Sequence, residues 1–297
     1  MRANRLNNPV LSSSFKIRMR GWKTSLGIVF YLGIMVLIAY LYYITFLGTR
    51  SAYQMSVNSR QEIGAGIYTI LAVLQFGLIV LITPAQTAGT ISGEREKQTL
   101  DLLLSTSLSP MGIILGKLLS SMSYIVLLVL SSIPLFSMIS FFGGITPGDI
   151  ITLFTFYLVT AFAIGNIGIY YSTTFKKTVT ATVMTYVTIF ALGLISFILG
   201  LFMASNHYLN NPNPSGDYIP FVLYINPVIG LAQILESQLN GSVGSIIGMG
   251  SSRLRYFWIY NSIVMLAIAL ILFLLSVIKI NPVFRLKSRR NKISQEA

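Results

Sequence analysis

Six long apolar stretches alternate with shorter polar segments along this chain. A helix needs about 20 apolar residues to cross roughly 30 Å of hydrocarbon. None of the six stretches contains Asp, Glu, Lys, Arg or His. The pattern predicts six transmembrane helices, over residues 24–47, 67–91, 118–142, 150–172, 178–203 and 256–278.

Two of the predicted spans contain a proline. Pro84 lies in the second span and Pro134 in the third. Membrane helices tolerate proline when neighbouring groups bond the carbonyl that it leaves without a partner. We therefore expect kinks at these two positions, and the predicted number of spans stays at six.

Composition agrees with an all-α, polytopic membrane protein. Of 297 residues, 54% are hydrophobic and 10% charged, and the mean hydropathy is +0.73. This is more apolar surface than one soluble core could bury, which argues against a soluble enzyme. The absence of cysteine excludes disulfides, thiolate metal sites and a cysteine nucleophile.

The predicted spans place most of the basic residues on one side of the membrane. Of the 21 Lys and Arg residues, 17 lie in the two tails and in the segments after spans two and four, and four lie on the other side. Cytoplasmic flanks of membrane helices are enriched in these residues. We therefore expect both termini to be cytoplasmic. Because a nucleic-acid binder has no reason to sort its charge in this way, we do not expect nucleic acid as a partner.

The N-terminal segment, residues 1–23, alternates basic and apolar residues in "NPVLSSSFKIRMRGWKTSL". More than twenty residues precede the first span. The span itself is too long to be the apolar region of a signal peptide, so we do not expect the N-terminus to be cleaved. The segment is typical of one that lies in the inner membrane interface. It could equally serve as a basic anchor that fixes topology, and the two roles are compatible.

The segment of residues 92–117 contains three of the chain's eight acidic residues, Glu94, Glu96 and Asp101. From Glu94 to Leu104 the spacing predicts a short amphipathic helix with a leucine face. Acidic residues are unfavourable beside an anionic leaflet, so we expect that face to meet protein. The alternative is a solvated connector. A helix then restarts with Ser109 as N-cap and Pro110 at its first position.

The loop of residues 204–255, on the opposite side, contains one short predicted helix. Asn226 is its N-cap, Pro227 its first residue and Gly241 its stop, and Val228, Leu231, Ala232, Leu235 and Leu239 form its apolar side. It is too short to span, so it is either re-entrant or interfacial, or it rests on the bilayer. We expect His207 in this loop to be a solvated residue rather than a ligand.

Polar residues in the spans offer no catalytic or ion-coupling set. Ion-driven pumps carry ionisable residues inside the membrane, and the absence of any here means that energy must come from outside the chain. The string "GIILGKLL" departs from the nucleotide-binding pattern and opens a membrane helix. The remaining polar candidates either join helices or line a pathway, and they are Gln75, Gln86, Asn166, Thr178, Thr182 and Thr185.

The stretch "SGEREKQTLDLLLSTSLSPMGIILGKLLS" resembles the cytoplasmic segment of ABC-2 type permeases, the membrane subunits of ATP-binding-cassette exporters. The resemblance is specific over about 25 residues, and the six spans extend it over the chain. One position departs, since Gln98 stands where the family most often has Gly. The resemblance implies a single domain over 1–297, divided into a tail with an elbow helix (1–23), spans 1–2 (24–91), a coupling segment (92–117), spans 3–5 (118–203), an outer loop (204–255), span 6 (256–278) and a basic tail (279–297).

By the same resemblance, the coupling segment docks on a separate cytoplasmic ATPase, which binds ATP and Mg; this chain binds no cofactor itself. A second permease half, identical or homologous, and membrane lipid complete the expected partners. The outer helix would close the exit. The residues that would contact or position the ATPase are Glu94, Arg95, Glu96, Lys97, Thr99, Leu100, Leu103 and Leu104.

The sequence thus predicts a permease subunit in the cell membrane of a bacterium or archaeon. Uncharged spans favour export of a lipid, a hydrophobic drug or an amphipathic peptide. ATP-driven motion of the coupling segment would rock span three against span two. Two alternatives remain, a membrane scaffold or sensor that recruits a cytoplasmic partner, and an ion-coupled carrier.

Overall fold

The computed structural model describes residues 22–49, 57–100, 105, 109–210, 218–239 and 256–280. Its α-helices, which we number α1 to α9 in chain order, are accompanied by two 3-10 turns at Ser140–Phe142 and Phe221–Ile225. The helices are Trp22–Thr49 (α1), Val57–Thr87 (α2), Ser92–Glu96 (α3), Pro110–Ser131 (α4), Ile133–Ile139 (α5), Pro147–Thr174 (α6), Thr178–Asn210 (α7), Pro227–Gln238 (α8) and Phe257–Ile280 (α9).

Six helical segments are long and apolar enough to cross a membrane, and no strand occurs in the described ranges. The spans are α1, α2, α4 continued by α5, α6, α7 and α9, which confirms the predicted all-α fold with six spans. Several helices are longer than predicted. For example, α2 begins at Val57 and α7 ends at Asn210, because hydropathy marks only the part of a helix that lies in hydrocarbon.

Both prolines affect their spans, in different ways. The third span breaks where α4 ends and α5 begins, and Ser132 between them donates to the side-chain oxygen of Gln75 at 3.1 Å. Pro84 stays inside α2. The Tyr186 hydroxyl of α7 donates to the carbonyl of Leu81 at 2.5 Å, one residue from the carbonyl that Pro84 leaves without a helical N–H.

Helix α6 is the centre of the bundle. It packs most extensively on α9 and also contacts α2, α4 and α7. The fully buried hydroxyl of Tyr157 donates to the carbonyl of Ala72 in α2 at 2.8 Å. The outer helices α1 and α7 instead leave many large apolar side chains exposed, as expected for surfaces that face lipid or another subunit.

Two glycines let α6 approach its neighbours closely. A Cβ built on Gly168 would lie 2.1 Å from the Thr87 hydroxyl oxygen, and one on Gly165 would lie 2.9 Å from the Met122 sulfur. Small residues of this kind allow membrane helices to pack backbone against backbone. The last turn of α2 is therefore pressed directly against α6.

The predicted short helix before the last span is α8. Asn226 caps it by accepting from the Val228 N–H at 3.0 Å, with Pro227 at the first position. Its far end is tied to the bundle because Gln238 accepts from the Tyr68 hydroxyl at 2.6 Å and donates to the Asp149 carbonyl at 2.9 Å. The predicted stop at Gly241 lies outside the described residues.

Most of the predicted apolar side of α8 is buried against the bundle. Leu231, Leu235 and Leu239 are buried, whereas Val228 is 52% exposed.

His207 is not simply solvated, because its ring stacks on Tyr218 with centroids 4.1 Å apart. The elbow helix and the basic tail fall largely on residues 1–21 and 281–297, which lie outside the described residues.

Candidate functional site

The segment after α2 forms one short helix and a tight turn. Helix α3 ends at Glu96, so the prediction of a single helix from Glu94 to Leu104 is wrong. The reason is Gln98, which has a φ of 57°, in the left-handed region. The N–H of Thr99 bonds to the Glu94 carbonyl at 2.9 Å and that of Gln98 to the Arg95 carbonyl at 3.1 Å, which together make a Schellman motif.

Gln98 therefore occupies the position that glycine prefers at helix ends. We expect Gln98→Gly to stabilise the protein by about 1 kcal/mol, because glycine avoids the cost of the left-handed conformation. Gln98→Val should have the opposite effect, since a β-branched side chain tolerates that conformation least. Thermal unfolding in detergent measures both changes. Lys97→Gly is the control, because Lys97 has an ordinary φ of −80° and should gain nothing.

Glu94 connects α3 to α4. Its carboxylate lies 2.7 Å from the Lys117 ammonium and also accepts from the Thr99 hydroxyl. Both members of the ion pair are partly shielded from solvent. The Lys117 and Thr99 hydrogen bonds, in that order, lower the pKa of Glu94. Because lowering moves the pKa further from neutrality, Glu94 stays ionised and the pair persists at neutral pH.

Arg95 connects α3 to α6. Its guanidinium donates from Nη1 to the Phe175 carbonyl at 3.1 Å and from Nη2 to the Thr173 carbonyl at 3.2 Å. These carbonyls belong to the end of α6, where a helix has unpaired acceptors and a partial negative charge. Arg95 therefore acts as a C-terminal cap supplied by another segment.

Glu96 connects α3 to α7. One carboxylate oxygen accepts from the Thr178 backbone N–H at 2.9 Å, and the other accepts from the Thr178 hydroxyl at 2.7 Å. Thr178 is the first residue of α7, so the carboxylate caps a helix N-terminus, where negative charge is favoured. These hydrogen bonds lower the pKa of Glu96, although its side chain is exposed.

A buried hydroxyl completes the arrangement. Ser172 Oγ of α6 accepts from the N–H groups of Ile91 and Ser92, both at 2.9 Å. These are donors at the start of α3 that have no partner within the helix. We call α3, its three charged side chains and their partners on α4, α6 and α7 the charged junction. The sequence reasoning missed Ser172, Thr173 and Phe175 as members, because no local pattern pairs them with residues about 80 positions away.

The other residues predicted for docking separate into two groups. Lys97 is exposed, and so are Gln98 and Ser105, which the sequence did not predict for docking. Leu100 is 4% exposed and belongs to this chain's own hydrophobic core, so its side chain is not on the open surface. Leu103 and Leu104 lie outside the described residues. Among the described residues of this segment, the exposed side chains thus include those of the turn after α3.

The six residues proposed to join helices or line a pathway do not form one cluster of contacts. Four bond within a helix or across two helices: Asn166 donates to the Phe162 carbonyl, Thr182 to the Thr178 carbonyl, Thr185 to the Ala181 carbonyl, and Gln75 accepts from Ser132. Thr178 belongs to the charged junction, and Gln86 is half-buried. Gln75 and Thr178 therefore join helices, whereas Asn166, Thr182 and Thr185 bond within their own helices, and a role in lining a pathway stays a prediction.

Comparison with known protein families adds the decisive observation. Residues 49–278 match the family described as "ABC-2 family transporter protein". The chain belongs to this ABC-2 transporter family. The matched range includes the charged junction and the five spans from α2 to α9, and it confirms the resemblance found in the coupling segment. No curated protein matches the chain.

Membership settles the general role of this ABC-2 protein. It is the membrane-embedded permease subunit of an ABC transporter, a multi-pass membrane protein, and it is not itself the ATPase. Its family associates with an ABC ATPase subunit. The charged junction therefore lies in a chain whose family associates with an ABC ATPase subunit.

Proposed function

We propose that the charged junction and the turn after α3 form the site where this permease receives force from a cytoplasmic ATPase. The observation that carries the proposal is that three consecutive charged residues, Glu94 to Glu96, connect α3 to three spans. A segment that only linked two spans would not need these contacts. The end of the bundle that holds the junction would face the cytoplasm, as the charge asymmetry indicates.

In this proposal, the residues of the coupling segment have two roles. Lys97, which was predicted for docking, contacts the ATPase together with Gln98 and Ser105, two exposed residues that the structure adds. Glu94, Arg95, Glu96 and Thr99 position the turn through internal hydrogen bonds, and Leu100 anchors it in the core. The partner ATPase binds ATP and Mg, and a second permease half, identical or homologous, completes the transporter in a bacterial or archaeal plasma membrane.

We further propose that the cargo is exported and is a lipid, a hydrophobic drug or an amphipathic peptide. Supporting this is the absence of charged residues from the predicted spans, which offer nothing to pair with the charge of a small hydrophilic ion. Helix α8, bonded to α2 and α6 through Gln238, would close the outer exit.

The docking role is tested by substitutions that make the exposed turn acidic. We expect Lys97→Glu with Gln98→Glu to lower co-purification with the partner ATPase by about tenfold, equivalent to about 1.4 kcal/mol of binding. The physical reason is that added charge at the centre of an interface must be desolvated without a partner. ATP-dependent transport of a fluorescent phospholipid and of a hydrophobic dye should fall in parallel.

The matched control is Ser205→Glu with Asn206→Glu, two exposed residues near the other end of α7. This variant adds negative charge without touching the junction, so association should be unchanged. Undiminished association and transport in the Lys97 and Gln98 variant would remove the docking proposal. Gradient-driven uptake by the purified chain alone would instead support an ion-coupled carrier.

A further inference from the structure

Helix α7 is fastened to the segment around α3 at two heights. At its first residue, Thr178 is held by both carboxylate oxygens of Glu96. Eight residues later, about 12 Å along the helix axis, the Tyr186 hydroxyl bonds to the Leu81 carbonyl of α2, close to Pro84. Two attachments at different heights restrict rotation as well as separation, whereas one would act as a pivot.

Close packing supports the same attachment. A Cβ on Gly89, between α2 and α3, would lie 3.0 Å from the Thr178 methyl carbon, and Ser92 Oγ lies 3.5 Å from the Thr178 hydroxyl. The start of α7 is thus seated directly on the chain that leads from α2 into α3.

The end of α6 is held to the same segment. Arg95 bonds two of its terminal carbonyls, Ser172 bonds two N–H groups at the start of α3, and Gly168 is packed against Thr87. At the charged junction, α4 is joined to α3 by the ion pair of Glu94 and Lys117. Among the described residues of the charged junction, the contacts with α6 and α7 are therefore more numerous and more varied than the contact with α4.

We propose that Arg95 and Glu96 are positioning residues that make α3, the last turns of α2 and α6 and the first turns of α7 move as one body. This inference rests on the proposed function, since it specifies which spans follow the ATPase. A push on the turn after α3 then moves α7, the most exposed of these spans, together with the end of α6. It differs from the expectation that the coupling segment rocks span three against span two, which stays a prediction.

Cross-linking tests the proposal directly, because the chain contains no cysteine. Glu96→Cys with Thr178→Cys, assembled with the ATPase and joined by a short, reducible thiol cross-linker, should retain at least half of the transport of the untreated double variant. Each single cysteine variant, treated with the same reagent, controls for modification alone. Loss of transport on cross-linking that returns on reduction would overturn the proposal, because it would mean that α3 slides against α7.

A second measurement separates positioning from simple stability. In complexes purified with the ATPase bound, Glu96→Ala should lower the number of cargo molecules moved per ATP hydrolysed by about threefold to tenfold. Glu96→Gln keeps one acceptor for Thr178 and should recover part of this ratio. An unchanged ratio in Glu96→Ala would count against the proposal. Failure of the proposed function is distinguishable, since association and transport would then be undiminished in the variant with Lys97→Glu and Gln98→Glu.

Discussion

Replacing Gly168 by alanine is expected to destabilise the bundle by about 1–3 kcal/mol, the usual cost of forcing one extra methyl group into close packing. The new Cβ would lie 2.1 Å from the Thr87 hydroxyl oxygen and 3.0 Å from its Cβ, and the Ala88 amide nitrogen is 3.3 Å away. The Thr87 hydroxyl already donates to the Thr83 carbonyl at 2.8 Å, so it cannot turn away without losing that bond. Gly168→Val should destabilise the bundle more than Gly168→Ala, because it adds two more methyl groups.

The free energy of unfolding, measured by denaturant titration in mixed micelles, gives the size of this effect. Gly77→Ala in α2 is the matched control, because a Cβ there meets nothing within 4 Å. Since alanine is the better helix former, that variant should be as stable as the parent or more so. If Gly168→Ala were as stable as Gly77→Ala, the close crossing of α2 and α6 would be refuted.

Removing the guanidinium at Arg95 is expected to cost about 1.5–3 kcal/mol, the range for hydrogen bonds to charged groups. In Arg95→Leu the carbonyls of Thr173 and Phe175 lose their donors, and the buried Thr173 backbone cannot readily turn to water. Arg95→Lys should be intermediate, because one ammonium cannot reproduce the fork of the guanidinium.

The same unfolding measurement, together with limited proteolysis of the charged junction, checks this prediction. Lys176→Leu removes a neighbouring cation from the exposed turn between α6 and α7, and it should change the free energy of unfolding by no more than about 0.5 kcal/mol. Equal effects of the two substitutions would show that Arg95 acts only through net charge and not as a cap.

The spans and the helix starts were the part of the fold that local sequence could predict. Hydropathy places six spans because lipid demands apolar side chains over a fixed length. The helix caps could be predicted equally well. Ser109 accepts from the Gly112 N–H, and Asn226 accepts from the Val228 N–H, as the residue types predicted. Both signals depend on residues within a few positions of each other, so one sequence is enough to find them.

The charged junction could not be predicted in the same way. Glu94 is three residues from Lys97, which suggests a pair within one helix, yet it bonds to Lys117, 23 positions away. Glu96 finds its partner 82 positions away. The helix that would have brought Glu94 and Lys97 together ends at Glu96, because Gln98 adopts a backbone conformation that its residue type does not favour. Tertiary contacts decided both the turn and the partners.

The apolar face of α7 bears on how the transporter is assembled. Four large apolar side chains of α7 are more than half exposed: Val183, Phe190, Leu194 and Phe202. In a bilayer, replacing their contact with lipid acyl chains by contact with another helix gains no hydrophobic free energy. A newly inserted copy can therefore complete its fold and diffuse as a lone subunit without a strong tendency to aggregate. We expect biogenesis of the complex to be limited by encounters within the plane of the membrane, and its selectivity to come from the shape of the surfaces that meet there.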